Sequence, residues 1–329
     1  MKFGYDVGTH PDFAKETVSL YGEDDAGERQ IEITYSPQMG CNMFSLLHDG
    51  IEYLLDTTST AQGPALLGSP ILYPSPNRIR NARFEFDDRQ FCFEPNDGTN
   101  FLHGLVAKTA WTGETPEPVD DGIAVRNSIS FVPGSDLYEQ FPIQHRLELT
   151  YTLHENRVSL DFAVINLDDT HRLPFGLGIH PYFNLIGTRD DVRLDVPARK
   201  WMEATDLLPS GRLVDLANSP GDFREPKLLS ELDLDDVFWG LEPDLPQVIY
   251  YENIGVRLTL SASDIFTHTC IFCPPKYPIF CVENQTCSAD AHNLYAQGFT
   301  EESNLLILEP GESRAGRIEI RIDEIGLAP

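Results

Sequence analysis

The stretch NRVSLDFAVIN, residues 156–166, places Val158, Leu160, Phe162 and Val164 at every second position. Successive side chains of an extended strand point to opposite faces, so these four share one face. A strand with a single continuous apolar face is typical of an antiparallel sheet that covers a core on one side. We therefore predict an antiparallel β-sheet at this point of the chain.

Similar stretches lie on both sides of it and either alternate or carry β-branched and aromatic runs. They are RQIEITYS (29–36), ARFEFDD (82–88), RQFCFEP (89–95), HRLELTYTL (145–153), DVRLDVPA (191–198), PQVIYYEN (246–253), VRLTLSA (256–262) and GRIEIRID (316–323). Turn strings such as HDG, NDG, PSPN, PSG and EPGE separate them. Short helices are predicted only at residues 12–21 and 228–232.

The absence of strand–helix alternation argues against a doubly wound fold. We predict an all-β protein with a large antiparallel β-sandwich, formed by residues 1–329 as a single domain. Residues 1–30 are expected to form an N-terminal arm or edge segment. A monomer or a homodimer is expected.

The charge balance limits the possible partners. The chain has 52 acidic residues against 24 Lys plus Arg, a formal net charge of -28. Such a surface repels phosphate backbones, so neither nucleic acid nor an anionic membrane is expected as a partner. The sequence has neither an apolar run of membrane-spanning length nor a signal peptide, which favours a cytoplasmic location.

The cysteines include a CxxC pair, Cys270 and Cys273, followed by Cys281 and Cys287. Their surroundings (HTCIFCPPKYPIFCVE) are apolar and strand-like, whereas zinc sites usually occupy polar knuckles. Residues three apart in a strand point to opposite faces. We expect buried reduced thiols, with neither a disulfide nor a structural metal.

Two segments carry polar groups beside turns. In SPILYPSPNRIRNARF (69–84), Asn77 and Arg78 follow a proline-rich turn, which could hold the guanidinium in a fixed position. Arg78 could equally pair with a surface carboxylate. In FEPNDGTNFLHGLV (93–106), His103 precedes Gly104, where backbone can approach a ligand. An ordinary loop histidine is the alternative.

Two further segments place ionisable groups in apolar surroundings. His180 lies in HRLPFGLGIHPYFNLIG (171–187), where partial burial would shift its pKa, although a satisfied core histidine fits equally. Glu283 ends an apolar strand in PIFCVENQTCSADAHNLY (278–295). A carboxylate there is costly unless it is hydrogen-bonded or used. A glutamate and a histidine of this kind could together move a proton between two oxygens.

At these segments the chain resembles the aldose 1-epimerase (galactose mutarotase) family. The matching strings are YPSPNRI (73–79), NDGTNFLHG (96–104), LGIHPYFNL (177–185), LDDVF (234–238) and CVENQT (281–286), with weaker matches at residues 207–226 and 307–313. They occur in the family's order between about residues 31 and 322. The resemblance implies a β-supersandwich fold and a reaction without cofactor or metal.

The resemblance also implies how a monosaccharide would be converted. Glu283 would act as the general base on the anomeric hydroxyl, and His180 as the general acid on the ring oxygen. The ring would open, and closure after rotation would yield the other anomer. His103 would stabilise the open form.

The remaining implied contacts hold the sugar. Arg78 and Asp235 would bind hydroxyl groups through charge-assisted hydrogen bonds, with Asn77 in support. Phe272 is the expected aromatic platform.

Two departures bear on the substrate. HGLVAKTAW (103–111) lacks the second glycine of galactose-specific members, so galactose is not expected to be the sole substrate. A hexose-6-phosphate 1-epimerase is an alternative. The hexose-6-phosphate branch of the family has an arginine where this chain has Lys108. Arg80 and Arg83 could bind the phosphate instead, or they could face solvent. A sugar-binding protein without catalysis is the other alternative, and the presence of both His180 and Glu283 argues against it.

Overall fold

The computed structural model describes residues 1–55 and 68–326, which form mostly β-strands. The first fifteen strands are β1 (Lys2–Thr9), β2 (Glu16–Glu23), β3 (Arg29–Ser36), β4 (Asn42–His48), β5 (Ile51–Glu52), β6 (Ile71–Leu72), β7 (Arg78–Ile79), β8 (Arg83–Phe86), β9 (Arg89–Cys92), β10 (Phe101–Leu102), β11 (Thr112–Gly113), β12 (Glu117–Val119), β13 (Gly122–Phe131), β14 (His145–Leu153) and β15 (Arg157–Asn166).

The later strands are β16 (Leu173–Phe175), β17 (Gly178–Ile179), β18 (Tyr182–Asn184), β19 (Val192–Asp195), β20 (Lys200–Thr205), β21 (Leu208–Asp215), β22 (Lys227–Leu228), β23 (Asp235–Trp239), β24 (Gln247–Tyr251), β25 (Val256–Ala262), β26 (His268–Phe272), β27 (Ile279–Gln285), β28 (Leu306–Leu308) and β29 (Ser313–Glu324). The α-helices are α1 (Asp136–Gln140), α2 (Ala291–Ala296) and α3 (Thr300–Ser303).

Three antiparallel sheets dominate. The largest has the order β11-β13-β14-β15-β29-β25-β24-β19-β22, with β12 on β13. The second has the order β21-β20-β23-β26-β27-β17-β6, with β18 on β27, and the third is formed by β1 to β5. The second sheet joins strands that are far apart in sequence, and it carries the candidate site.

The core lies between the sheets. One connected cluster of buried side chains includes Leu149 and Phe162 from the largest sheet, Ile271 and Phe280 from the second, and Leu20 from the third. The alternation that predicted each strand therefore supplies each sheet's buried face, since every second residue points into this cluster. The predicted all-β sandwich is confirmed.

The opposite face of the second sheet carries smaller apolar groups. One contains Leu55, Tyr182, Ile279 and Cys281, and another contains Met202, Val237 and Cys270. Cys270 lies on this face while Cys273 belongs to the main core, as their spacing predicts. The thiols of Cys270, Cys273, Cys281 and Cys287 are buried and form no disulfide bond in the described residues, whereas Cys92 is exposed.

The helix predicted at residues 12–21 is wrong. Strand β2 begins at Glu16, and Val18 and Leu20 alternate into the core. Residues 228–232 contain a single 3-10 turn, Leu229–Glu231. Strand β1 lies at the edge of its sheet and pairs with β2. Within residues 1–55 and 68–326, no helix is long and apolar enough to cross a bilayer.

Candidate active site

The register of the second sheet places His180 opposite Glu283. Strands β17 and β18 both pair with β27, and they share one register, with Gly178 opposite Gln285 and Tyr182 opposite Cys281. His180 lies midway between the two short strands, so the same register sets it against Glu283 on the same face. Its Nε2 is 3.3 Å from Glu283 Oε1.

Pairing with β26 and β23 extends this arrangement into two rows of side chains across the sheet. The first row consists of His180, Glu283, Cys270 and Val237. The second row consists of Tyr182, Cys281, Phe272 and Asp235. The sheet therefore brings together four of the predicted site residues. They are His180, Asp235, and the pair Phe272 and Glu283 from the β26–β27 hairpin.

A small two-stranded ribbon brings the other three predicted site residues, Asn77, Arg78 and His103, to the same place. Strands β7 and β10 pair Arg78 with Leu102, and the backbone N–H of His103 donates to the carbonyl of Asn77 at 2.9 Å. Asn77 Nδ2 lies 4.0 Å from Cys270 Sγ in the first row, which fixes the ribbon above the sheet. The rings of His103 and His180 are 5.1 Å apart and nearly perpendicular.

Arg78 is held by two neighbours. Its Nε donates to Asp97 Oδ2 at 2.7 Å, and its Nη1 donates to Asn77 Oδ1 at 3.3 Å. The sequence left open whether Arg78 pairs with a carboxylate, and it does. The pair still belongs to the site, because the positive charge of Arg78 acts on the pKa values of Asp235, Glu283 and His103.

Burial controls the protonation of the central pair. The side chains of His180 and Glu283 are only 9% and 2% exposed. Burial raises the pKa of Glu283 well above its usual range, and the charge of Asp235 adds to this. Burial lowers the pKa of His180 well below its usual range, and His103 adds to this. Since both charged forms are disfavoured, the resting pair favours a neutral carboxyl beside a neutral imidazole.

Glu283 has two further partners that sequence reasoning missed. Gln285 Nε2 donates to Glu283 Oε2 at 2.9 Å, and the Cys270 thiol also hydrogen-bonds the carboxylate. Both bonds favour the ionised form and partly oppose the effect of burial. Strand alternation could have identified Gln285, because it lies two residues after Glu283 on the same face.

His180 and His103 are also packed against neighbouring side chains. Tyr182, two residues after His180, stacks on the His180 ring at 4.3 Å, and its hydroxyl lies 3.3 Å from His180 Nε2. The Nδ1 atoms of His103 and His180 are buried, and neither has a hydrogen-bond partner in the described part of the chain. Burial, aided by Arg78, lowers the pKa of His103 to about 3, so its ring is neutral.

A cleft opens beside the second row. It has a volume of about 610 Å³, and Asp235 and Phe272 line it together with Asp233, Tyr277 and residues 274–276. Phe272 is partly exposed and lies 6.5 Å from the His180 ring. Neither His180 nor Glu283 lines the cleft, but Phe272 does, so the cleft is the candidate place for a small molecule near the pair.

The arginines considered for phosphate lie elsewhere. Arg80 donates from its backbone N–H and its Nε to Asp290, at 3.0 and 3.3 Å. Arg83 and Lys108 are exposed. The guanidinium of Arg80 is thus already paired with a carboxylate, and the charged side chains around the site and its cleft include Arg78, Asp97, Asp233, Asp235 and Lys276.

Comparison with known proteins places this chain in a family. The aldose 1-epimerase family model matches residues 28–321. An aldose 1-epimerase from Escherichia coli is 31% identical over 172 residues, 49% of this chain and 46% of that protein. The chromosomal LacX protein of Lactococcus lactis is 30% identical over 141 residues, 41% of this chain and 42% of LacX, so the chain spans under half the length of that relative.

The fold has solved counterparts. A galactose mutarotase-like protein from Clostridium acetobutylicum superposes with a TM-score of 0.86 at 19% identity, covering 98% of this chain and 99% of that one. At this identity the likeness concerns the fold. The family match over residues 28–321 decides the classification, and this chain belongs to the aldose 1-epimerase family.

Proposed function

We propose that the protein interconverts the α and β anomers of a free hexose. The observation that carries the proposal is the buried His180–Glu283 pair, whose facing atoms are 3.3 Å apart beside an open cleft. Mutarotation already proceeds in water, so an enzyme needs only a positioned acid and base. Membership in the aldose 1-epimerase family supports the same reaction.

The pair carries the single proton that the reaction needs. A neutral carboxyl and a neutral imidazole together hold one mobile proton, as do a carboxylate and an imidazolium. Transfer from Glu283 Oε1 to His180 Nε2 across 3.3 Å converts the first form into the second. The sugar's hydroxyl groups would favour this change by hydrogen-bonding the charged form.

In the active form, Glu283 accepts the proton of the anomeric hydroxyl while His180 donates its proton to the ring oxygen. The electron pair of the breaking C1–O5 bond goes to the ring oxygen, and C1 becomes an aldehyde carbon. Rotation about C1–C2 turns the other face of the aldehyde toward the returning hydroxyl. Glu283 then donates and His180 accepts, which restores both residues.

The surrounding groups orient the sugar. Arg78 and Asp235 would hold ring hydroxyls, with Asn77 in support because it accepts from the Arg78 guanidinium. The partly exposed ring of Phe272 would form an apolar platform. His103, neutral through its lowered pKa of about 3, can share in hydrogen bonding near the ring oxygen without adding charge.

The arrangement favours an unphosphorylated sugar. A phosphate group needs a cation, and since Arg80 is already paired with Asp290 and Arg83 is exposed, Lys276 is the one cation among the residues that line the cleft. The cleft itself is bordered by the carboxylates Asp233 and Asp235. These would repel a dianion, whereas they can accept hydrogen bonds from hydroxyl groups.

The test is anomer exchange measured by NMR with glucose, galactose and glucose-6-phosphate. Wild-type protein should accelerate exchange of a free hexose. Glu283→Gln should lower turnover by about 10²–10⁴-fold, the usual cost of losing a general base, while sugar binding measured by calorimetry persists. Glu85→Gln, at an exposed position on β8, is the matched control and should leave turnover unchanged.

Three results would contradict the proposal. Normal turnover by Glu283→Gln would remove the mechanism. Acceleration with glucose-6-phosphate alone would identify the phosphosugar enzyme instead. Tight hexose binding by wild-type protein without any acceleration would identify a sugar-binding protein.

A further inference from the structure

We propose that the same site binds a thiophilic divalent cation, with Zn²⁺ as the probe, through His180, Cys281 and Glu283. The bound ion would occupy the space between the acid and the base and so exclude the sugar. Binding of the ion follows from these three side chains alone. Only its inhibitory effect rests on the proposed function.

The sheet places all three donors on one face. Cys281 precedes Glu283 by two residues on β27, so their side chains point the same way, and the shared register sets His180 opposite Glu283. One ligand atom from each residue lies within 4.8 Å of the other two. The His180 and Cys281 side chains come from different segments, which gives the ion ligands on both sides.

These separations suit a tetrahedral ion. Zinc bonds of about 2.0–2.3 Å imply that neighbouring ligand atoms lie roughly 3.3–3.6 Å apart. The distance of 3.3 Å between His180 Nε2 and Glu283 Oε1 already meets this condition. The sulfur of Cys281 lies within 4.8 Å of the other two ligand atoms, so each of these distances needs to shorten by at most about 1.2 Å. A change in the χ1 angle of Cys281 can supply that movement.

The donor set is chemically selective. One imidazole nitrogen, one sulfur and one carboxylate oxygen suit zinc and cobalt, whereas magnesium and calcium prefer oxygen donors alone. Three protein ligands leave a fourth position for water, as in catalytic zinc sites. His180 would coordinate through Nε2, the atom that faces Glu283, so its buried Nδ1 would carry the ring proton.

Binding exchanges two protons for the metal. The S–H bond of Cys281 and the O–H bond of Glu283 break, a sulfur–metal and an oxygen–metal bond form, and both protons pass to solvent; no electron is transferred. The Nε2 lone pair of the neutral His180 ring completes the protein ligands. The net charge of -28 adds a general attraction for cations.

The binding test uses Co²⁺ as a spectroscopic probe in the full-length protein with Cys92, the exposed thiol, changed to Ser. We expect near-ultraviolet thiolate-to-cobalt absorption and the visible bands of tetrahedral cobalt. Cys281→Ser should remove the thiolate absorption. Cys287→Ser, at another buried thiol, is the matched control and should retain it. Thermal unfolding checks that each variant is folded.

The inhibition test adds Zn²⁺ to the exchange assay. We expect the apparent KM for the hexose to rise with Zn²⁺ while kcat stays constant, and we expect Cys281→Ser to weaken inhibition at least about tenfold. Absence of the thiolate band, or its persistence in folded Cys281→Ser, would overturn the binding proposal. A chain that shows the band but never accelerates exchange would leave this inference standing and refute the proposed function.

Discussion

At the scale of single residues, the central property is that one buried pair carries one proton. His180 and Glu283 are each only a few per cent exposed and face one another at 3.3 Å. Because they are this close, the charge state of one changes the pKa of the other, so their titrations are coupled and the apparent pKa values belong to the pair. Under the proposed mechanism, the pair works only while it holds its single proton.

This predicts a bell-shaped dependence of kcat/KM on pH. As the pH falls, a second proton must charge His180, whose pKa burial has lowered, so the acid limb should lie below about pH 6.5, the ordinary histidine value. As the pH rises, the pair loses its only proton, and activity falls again. The measurement is anomer exchange from about pH 4 to pH 10, corrected for the buffer-catalysed background.

A matched comparison sharpens this test. Glu283→Gln should keep only residual turnover and lose the bell shape, because His180 is then the one titrating group of the former pair. An acid limb at or above the ordinary histidine pKa in the wild type would show that His180 is not depressed. The pairing of His180 with Glu283 would then not govern the rate.

Residues differ in how far the sequence identifies them. His180 and Glu283 could be selected because ionisable groups in apolar strands are costly. Gln285 could have been found by alternation from Glu283. Asp97 could not: its bond to Arg78 joins residues 19 positions apart through a turn, and no spacing rule predicts which carboxylate an arginine selects. Tertiary contacts decide that choice.

At the scale of elements, the β7–β10 ribbon depends on a tight approach of backbone. His103 and Gly104 both have positive φ, 66° and 72°. A Cβ on Gly104 would lie 2.2 Å from the carbonyl oxygen of Tyr73, which the neighbouring N–H of Leu105 contacts at 2.7 Å. Both backbone shape and space therefore require glycine at position 104.

Alanine substitutions at Gly98 and Gly104 test this requirement for glycine. Gly98→Ala has a positive φ of 62° but open space around its Cβ, so it should lose about 1–2 kcal/mol from backbone strain alone. Gly104→Ala should lose about 1–3 kcal/mol more, since the added methyl group clashes with backbone. It should also raise KM, because His103 would move. Urea unfolding and the exchange assay measure both effects, and equal losses at the two sites would contradict the argument.

The positions of the strands were more predictable from the sequence than the strands with which they pair. Alternation located the long strands because their buried faces repeat every second residue. The helix predicted at residues 12–21 is wrong because Val18 and Leu20, two positions apart, both point into the core, as alternate residues of a strand do. The order of the second sheet could not be predicted, since β27 pairs with β17 and β18, which lie about 100 residues earlier. The site exists only through that pairing.

At the scale of the molecule, charge is the dominant feature. A net charge of -28 produces repulsion within the folded chain that an expanded chain relieves. Surface ion pairs such as Arg317–Asp161, at 2.6 Å, oppose it, but each contributes only about 0–1 kcal/mol. The repulsion should therefore control how stability responds to salt.

Raising ionic strength from about 0.01 M to about 0.5 M at pH 7 should raise the melting temperature, because it shortens the range of the repulsion. Differential scanning calorimetry measures the change. The control is the same titration near pH 4.5, the isoelectric point of the sequence, where the salt effect should shrink. An equal rise at both pH values would attribute the effect to general salting-out.

The division between sheet and ribbon has a consequence for how such a molecule can change. The register of β27 with β17 and β18 holds His180 and Glu283, whereas Arg78 and His103 arrive on a separate ribbon and residues 274–277 border the cleft from a loop. Under the proposed function, substitutions in the loop can change the surface that meets the sugar while His180 and Glu283 stay in place. For laboratory evolution, libraries confined to residues 274–277, whose side chains are partly or fully exposed, should retain a high fraction of folded variants, whereas the ribbon contributes Ile79 and Phe101 to the main core.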